Sequence, residues 1–412
     1  MSILAAGLWT TLACAATDFE VETGVRAEAR TGQMAAGANT LVTAADFELT
    51  PLLQFALRSP RTAILANYQP RFFYRVPNPL TTPLVLHQAN AEFRHLFDAQ
   101  LSGTARAYIA SGEVDFSRSL LTFGVPGAID DVEPQAPPST LPESSVIGYN
   151  NLGASAELVH QIDASQRLAF TVRASENRPG ATNGASVFPT QQWFEAGSIY
   201  NLAITQIDAA SASVTAGLGI YSPGPQFVTL QPSANWTRTR RHAEFTASAG
   251  LLTAWQQADD PNATDQRLRW LPFGELGYSR RWQISQKTLT TGARMGATSY
   301  FDPVQATLDP RGFITLSASL ALPPDMTVRV DASVYSPVRF EPRPTDDAAY
   351  DPTLALVNAV LDYNLGDNLQ VQVGCRANLH GPYLSQTWAM DTVSQVEAIG
   401  FLAITAGYDL VE

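Results

Sequence analysis

The sequence predicts an all-β protein, a closed antiparallel transmembrane β-barrel of about 18 strands. Three observations lead there: side chains alternate between polar and apolar along most of the 412 residues, short and long connections alternate, and aromatic residues lie near the segment ends. Only 16% of the residues are charged, and no run of about 18 apolar residues predicts a membrane-spanning helix. The net charge of −12 argues against a nucleic-acid partner.

The alternation has a period of two residues, which sorts side chains onto the two faces of a strand. Between Phe19 and Arg30 the odd positions are apolar or small and most even positions are charged, and Leu369–His380 repeats the pattern. Segments of this kind begin near Thr17, Ala44, Arg61, Leu84, Leu101, Ile147, Arg167, Thr190, Ala212, Gln226, His242, Arg267, Ile284, Gly312, Met326, Thr353, Leu369 and Thr392.

The connections differ in length from one end of the predicted strands to the other. Long polar loops include Arg178–Pro189, Gln257–Gln266, Asp302–Arg311 and Ser336–Pro352. Strict alternation of short and long links is typical of a barrel in a membrane, and an even strand number places both termini at the short-turn end. The predicted short turns are Arg58–Pro60, Asp98–Gln100, Asp163–Gln166, Asp208–Ser211, Thr239–Arg241, Arg281–Gln283, Pro323–Asp325 and Gly366–Asn368.

Tryptophan and tyrosine residues predict two belts at the membrane interfaces, because their rings combine an apolar body with a polar edge. An open sheet edge in hydrocarbon would leave backbone groups without partners, so the sheet must close. About 18 strands enclose a lumen too wide for side chains to fill. Trp236, Tyr278 and Trp282 lie near short turns; Tyr74, Trp193, Tyr221, Trp255, Trp270 and Tyr300 lie near long loops.

The polar faces of the strands supply the candidate pore-lining residues. Acidic residues cluster on the first two strands, with one more on the last strand, and arginines follow on the next three strands. Adjacent acidic and basic walls would create a transverse field across the pore; the alternative is that these charges are paired for stability. The candidates are Glu20, Glu22, Arg26, Glu28, Asp46, Glu48, Arg71, Arg75, Arg94, Arg106, Arg173 and Glu397.

The longest connection, Gly112–Val146, is half apolar and half acidic. Its apolar half favours folding inward against the barrel, whereas its acidic half favours solvent. We expect a partial constriction of the lumen that involves Asp115, Phe116, Arg118 and Phe123.

The N-terminal residues predict a secretory signal peptide over 1–16, followed by a single barrel over 17–412. An apolar run ends in Ala13-Cys14-Ala15-Ala16, the small-x-small ending of a cleavage site, although no basic residue precedes the run. The alternative is a buried first strand. Removal of the leader would leave Cys375 as a lone cysteine, which excludes an internal disulfide.

Enzyme chemistry is not expected. The five histidines are spread over the predicted strands and form no HExxH pair, and no GxSxG, CxxC or phosphate-binding loop is present. No metal and no cofactor is therefore predicted.

Together these patterns make the mature chain resemble Gram-negative outer-membrane β-barrel proteins of the porin-like, plug-free kind. The resemblance implies an outer-membrane location, short periplasmic turns, longer extracellular loops and contact with membrane lipid and lipopolysaccharide. One departure is the C-terminus, since Val411-Glu412 replaces the usual aromatic end.

A fainter likeness is to barrels that pass secreted polysaccharide across the outer membrane with a separate periplasmic partner. The size, the lack of a plug or periplasmic domain and the arginine-bearing lumen favour polysaccharide export as the first hypothesis. A general or sugar diffusion porin is the alternative, and a structural or adhesive barrel is the third.

Overall fold

A computed structural model describes residues 18–37, 40–76, 83–115, 146–179, 190–222, 224–257, 267–285, 287–302, 307–323, 325–337, 353–366, 368–381 and 395–411. The predicted leader over 1–16 and most of the predicted constriction loop lie outside these ranges. The strands are β1 (Asp18–Gly37), β2 (Thr40–Arg58), β3 (Thr62–Tyr68), β4 (Arg71–Val76), β5 (Leu84–Leu96), β6 (Leu101–Asp115), β7 (Val146–Gln161), β8 (Gln166–Pro179), β9 (Thr190–Ala203), β10 (Asp208–Ser222), β11 (Gln226–Arg240), β12 (Ala243–Gln257), β13 (Arg267–Ile284), β14 (Lys287–Asp302), β15 (Thr307–Leu322), β16 (Met326–Pro337), β17 (Thr353–Asn364), β18 (Leu369–Gly381) and β19 (Gln395–Val411).

These strands form one antiparallel sheet that closes on itself, because β1 pairs with both β2 and β19. The 19 segments make 18 barrel strands, since β3 and β4 both pair with β2 on one side and with β5 on the other. The break between them falls at Gln69-Pro70, where proline cannot donate a ladder hydrogen bond. The predicted strand number and fold class are confirmed.

The two faces of the sheet differ as the alternation predicts. Large apolar side chains on one face are exposed; Leu316 is 53% and Met295 is 55% exposed. The opposite face carries most of the charged side chains. In a closed barrel of this size the apolar face is the outer wall and the polar face lines the interior. Cys375 is free and exposed on the outer wall. Among the described residues, no helix is long and apolar enough to cross a membrane.

Two predicted short turns were placed wrongly. Asp208 begins β10, and its N–H donates to Thr205 Oγ1 at 2.9 Å, so the turn covers residues 204–207. Arg281–Gln283 lies inside β13, because Gln283 still pairs with Thr288. In both cases the predicted turn residues are polar, but they belong to a strand and take part in its pairing.

The turn at Asp163 is held by its own side chains. Asp163 Oδ1 accepts hydrogen bonds from the Ser165 hydroxyl at 2.8 Å and from the Ser165 N–H at 2.7 Å. These bonds favour the ionised carboxylate and lower the pKa of Asp163 below its usual value. Side-chain capping of this kind explains why a short polar turn can close the hairpin.

The aromatic belts are confirmed in part. Trp270 is 59% exposed on the outer wall, and Tyr74, Trp255, Tyr278 and Trp282 are 40–44% exposed there. Trp193 and Tyr221, which were predicted for the same belt, instead lie on the inner face, since Trp193 is opposite Gly219 and Tyr221 is buried. Proximity to a loop was the wrong criterion, because the face of a strand residue depends on its odd or even position.

Substitution of Gly296 tests how closely two adjacent strands pack. A Cβ atom at Gly296 would overlap the carbonyl oxygen of Gly274 on the adjacent strand, and that backbone cannot move without breaking its own pairing. We expect Gly296→Ala to lower the free energy of unfolding by roughly 1–3 kcal/mol. Denaturant titration in lipid vesicles measures this value.

Gly400→Ala is the matched control, because the nearest atom to its Cβ would be Thr31 O at 3.9 Å, an ordinary contact. An equal decrease in the free energy of unfolding in the two variants would contradict the close contact between Gly296 and the Gly274 carbonyl.

Candidate functional site: the inner wall of the barrel

A chain of ion pairs crosses the inner wall where the barrel closes. Glu48 accepts hydrogen bonds from Arg30 Nη2 at 2.9 Å and from Arg71 Nε at 2.6 Å. Arg30 also pairs with Glu28, which accepts from Arg26 Nη2 at 2.9 Å. We call Arg71, Glu48, Arg30, Glu28 and Arg26 the ion-pair chain; its members lie on β4, β2 and β1 and alternate in sign.

Polar contacts continue beyond Arg26 across the last strands. Arg26 Nη1 donates to Gln372 Oε1 at 2.7 Å, and Gln372 Nε2 donates to Asp362 Oδ1 at 2.6 Å. Arg329 Nε donates to the other Asp362 oxygen at 2.9 Å. The Arg26–Gln372 contact reaches past β19, as expected on the concave side of a closed sheet. The hydrogen-bonded wall therefore runs continuously from β4 round to β16.

This arrangement contradicts the predicted separation into an acidic wall and a basic wall. The acidic and basic side chains are interleaved, so Glu28, Glu48, Glu92 and Asp362 each have an arginine within hydrogen-bond reach. Glu20 pairs with Arg58 at 2.9 Å, and Glu22 accepts from Gln54 at 3.0 Å. The prediction of two walls treated each strand by itself. Side chains on adjacent strands are neighbours, so opposite charges on the two strands pair with one another.

The other predicted candidates fall in three groups. Arg94 and Arg106 both contact Glu92, so they are paired. Asp46 is buried beside Arg30, and Arg173 is exposed on the inner face opposite Glu195. Some side chains lie outside the described part of the chain: Arg75, Asp115 and Glu397 have described backbone only, and Phe116, Arg118 and Phe123 have neither.

Several inner-wall residues were missed by the sequence prediction. Arg30, Asp362 and Arg329 complete the hydrogen-bonded wall, and all three occupy polar positions of their alternating segments. Their polarity and their odd or even position in the strand indicate the inner face. The sequence does not indicate which residue each one pairs with, because pairing depends on the register between strands.

The opposite inner wall is different in character. The ring of Tyr108 lies over Gly153, and the ring of Trp193 lies over Gly219; a Cβ atom at either glycine would overlap the ring. Further round, a buried cluster includes Phe227 beside Tyr221, with ring centroids 5.7 Å apart. The lumen thus has a charged, ion-paired sector and an aromatic sector.

The described inner wall offers polar and aromatic side chains. No group of three or more histidine, cysteine or acidic residues that could hold a metal occurs in the residues the structure describes. The side chains offer paired charges, amides, hydroxyls and ring faces, which suit the binding and passage of polar solutes.

Comparison with known proteins identifies a fold but no family. No family model matches the chain, and no curated protein matches it. Solved structures do match over nearly the whole length. The chain has the fold of outer-membrane porins.

Three of these structures illustrate the match. A BenF-like porin from Pseudomonas fluorescens Pf-5 is 9% identical with a TM-score of 0.51, covering 96% of this chain and 100% of that one. OccK2 (OpdF) of Pseudomonas aeruginosa in complex with glucuronate is 9% identical, with a TM-score of 0.50 and coverage of 96% and 99%. OccK3 (OpdO) of the same organism is 11% identical, with a TM-score of 0.50 and coverage of 98% and 99%.

Proposed function

We propose that this chain is an outer-membrane porin through which small hydrophilic solutes diffuse. The observation that carries the proposal is the closed barrel of 18 strands with a polar, ion-paired inner wall. Barrels of 16–18 strands are wide enough to leave an aqueous channel. Polar lining then lets hydrated solutes pass without losing all their hydrogen bonds.

The outer wall supports the location. Exposed apolar side chains all round the barrel would be unfavourable in water and are stable against hydrocarbon. The partners we propose are therefore outer-membrane lipid and lipopolysaccharide, with the short turns on the periplasmic side.

The charge balance of the lumen favours solutes without a large net charge. Each glutamate of the ion-pair chain lies between two arginines, and Asp46 lies beside Arg30, so three carboxylates offset the three arginines of the chain. Strong selection for one sign of ion requires an excess of the opposite sign along the wall. We therefore propose sugars and other small polar molecules as the solute class.

The comparisons favour this porin alternative over polysaccharide export. One similar structure is a BenF-like porin and another contains glucuronate. No contact within the described residues points to a periplasmic export partner, and none favours an adhesive barrel.

Liposome swelling tests the proposal. Vesicles with the purified protein should swell in glucose, more slowly in maltotriose, and not in a dextran of several kilodaltons. Protein-free vesicles are the control. Entry of dextran as fast as glucose would favour polysaccharide export, and no swelling in any solute would contradict a porin.

A further inference from the structure

The aromatic sector contains two rings laid against the wall in one register row. Tyr108 on β6 is opposite Gly153 on β7, which is opposite Ser175 on β8; Ser175 is opposite Trp193 on β9, which is opposite Gly219 on β10. We call the Tyr108 and Trp193 rings the aromatic strip. With strands about 4.8 Å apart, the row extends roughly 19 Å around the lumen.

Glycine makes the strip flat. Because Gly153 and Gly219 carry no side chain, each ring lies over backbone on the inner face; both aromatic residues are half-buried. Ser175 lies in the same row, opposite Gly153 and Trp193, so its hydroxyl is near the Tyr108 ring. Rings held in this way lose little further freedom when a solute stacks on them.

Rows of polar side chains border the strip. On the side towards the long loops lie Asn151, Asn177 and Gln191, which are opposite one another on β7, β8 and β9. The side-chain oxygen of Asn177 is buried without a hydrogen-bond partner among the described residues. A carboxamide oxygen in this state needs a donor, and small movements of the amide would let a hydroxyl supply it.

The other border carries charges of both signs. Arg106 donates to Glu92 at 2.8 Å, and Arg173 is opposite Glu195 in the ladder. The border suits hydroxyl groups, which both donate to carboxylates and accept from guanidinium groups.

We propose that the aromatic strip is a saccharide-binding site of the pore, on which the C–H face of a sugar ring stacks while its hydroxyls bond to the bordering amides and charges. A pyranose combines an apolar face with a hydroxyl edge. The rings of the strip match the apolar face, and the polar side chains on its borders match the hydroxyls. The inference rests on the proposed porin function and adds the site at which a sugar binds.

Sugar-induced block of ionic current tests the site. Single channels in KCl are exposed to maltotriose, to the acyclic polyol sorbitol and to benzoate. Maltotriose should reduce the current in a saturable way, whereas sorbitol, which has hydroxyls but no ring, should not. Saturable block by benzoate but not by maltotriose would overturn the saccharide assignment.

Two substitutions probe the rings directly. Trp193→Leu and Tyr108→Leu should each raise the maltotriose concentration for half-block roughly tenfold, the loss expected for one well-packed stacking contact. Trp255→Leu is the matched control, because Trp255 is exposed on the outer wall. Folding of each variant is checked by the change of gel mobility on heating.

The outcomes separate the site from the porin function. If wild-type channels conduct and the ring variants bind maltotriose as tightly as the control, the aromatic strip is not the site and the porin stands. If one ring variant fails to fold, the other still decides the question. A wild-type barrel that never conducts overturns both proposals.

Discussion

Replacing Leu316 with arginine is expected to abolish stable insertion of the barrel. Leu316 lies within β15 on the outer wall and is 53% exposed, so its side chain faces hydrocarbon. A charge there costs roughly 2–4 kcal/mol near the membrane midplane, a large part of the total stability of most proteins. The measurement is the fraction of protein whose gel mobility changes on heating after reconstitution into lipid.

Ser317→Arg is the control for this prediction, because it introduces the same charge one residue along the same strand. Ser317 is on the inner face, opposite Asp331 and Gly292, where an arginine finds a carboxylate and free space. This variant should insert like the wild type. If Leu316→Arg inserts as well as Ser317→Arg, the assignment of outer and inner faces is wrong.

Glu48→Gln is expected to have the largest effect inside the lumen. The carboxylate accepts from both Arg30 and Arg71 and is only 9% exposed. Its loss leaves two partly buried cations without their shared counter-charge, which should lower the free energy of unfolding by roughly 2–3 kcal/mol. The extra positive charge should also shift the reversal potential in a KCl gradient towards anion preference.

The matched control is Glu157→Gln, which removes one inner-wall carboxylate with the same change of formal charge. Glu157 and Arg167 are 3.5 Å apart and 36% and 47% exposed, so their pairing should contribute less than about 1 kcal/mol. Similar losses of stability in both variants would show that the ion-pair chain contributes no more than an exposed pair.

Much of this fold could be predicted from the sequence because a strand imposes a two-residue period whatever its neighbours are. The segment starts at Leu84, Thr190 and Leu369 agree with the strands observed. The break at Pro70 was not predicted, although proline inside a strand is the local signal for one. Trp193 and Tyr221 were predicted for an outer belt from their proximity to loops, and the odd or even position of each in its strand was not considered.

The pairing within the site could not be predicted for a different reason. Which arginine meets Glu48 depends on how β1, β2 and β4 slide past one another, and a shift of one residue would exchange every contact. That register depends on turn geometry and on the closure of the whole barrel. Polarity patterns therefore predict positions on the inner wall without predicting which side chains pair there.

The central claim is that the closed barrel encloses a water-filled, charge-balanced pore. Conductance of the purified protein in planar lipid bilayers tests it most directly, with heat-dependent gel mobility confirming that the inserted protein is folded. The account predicts stepwise current increases in KCl with weak preference between cations and anions. Folded, inserted protein that carries no current, or a channel strongly selective for one sign of ion, would contradict it.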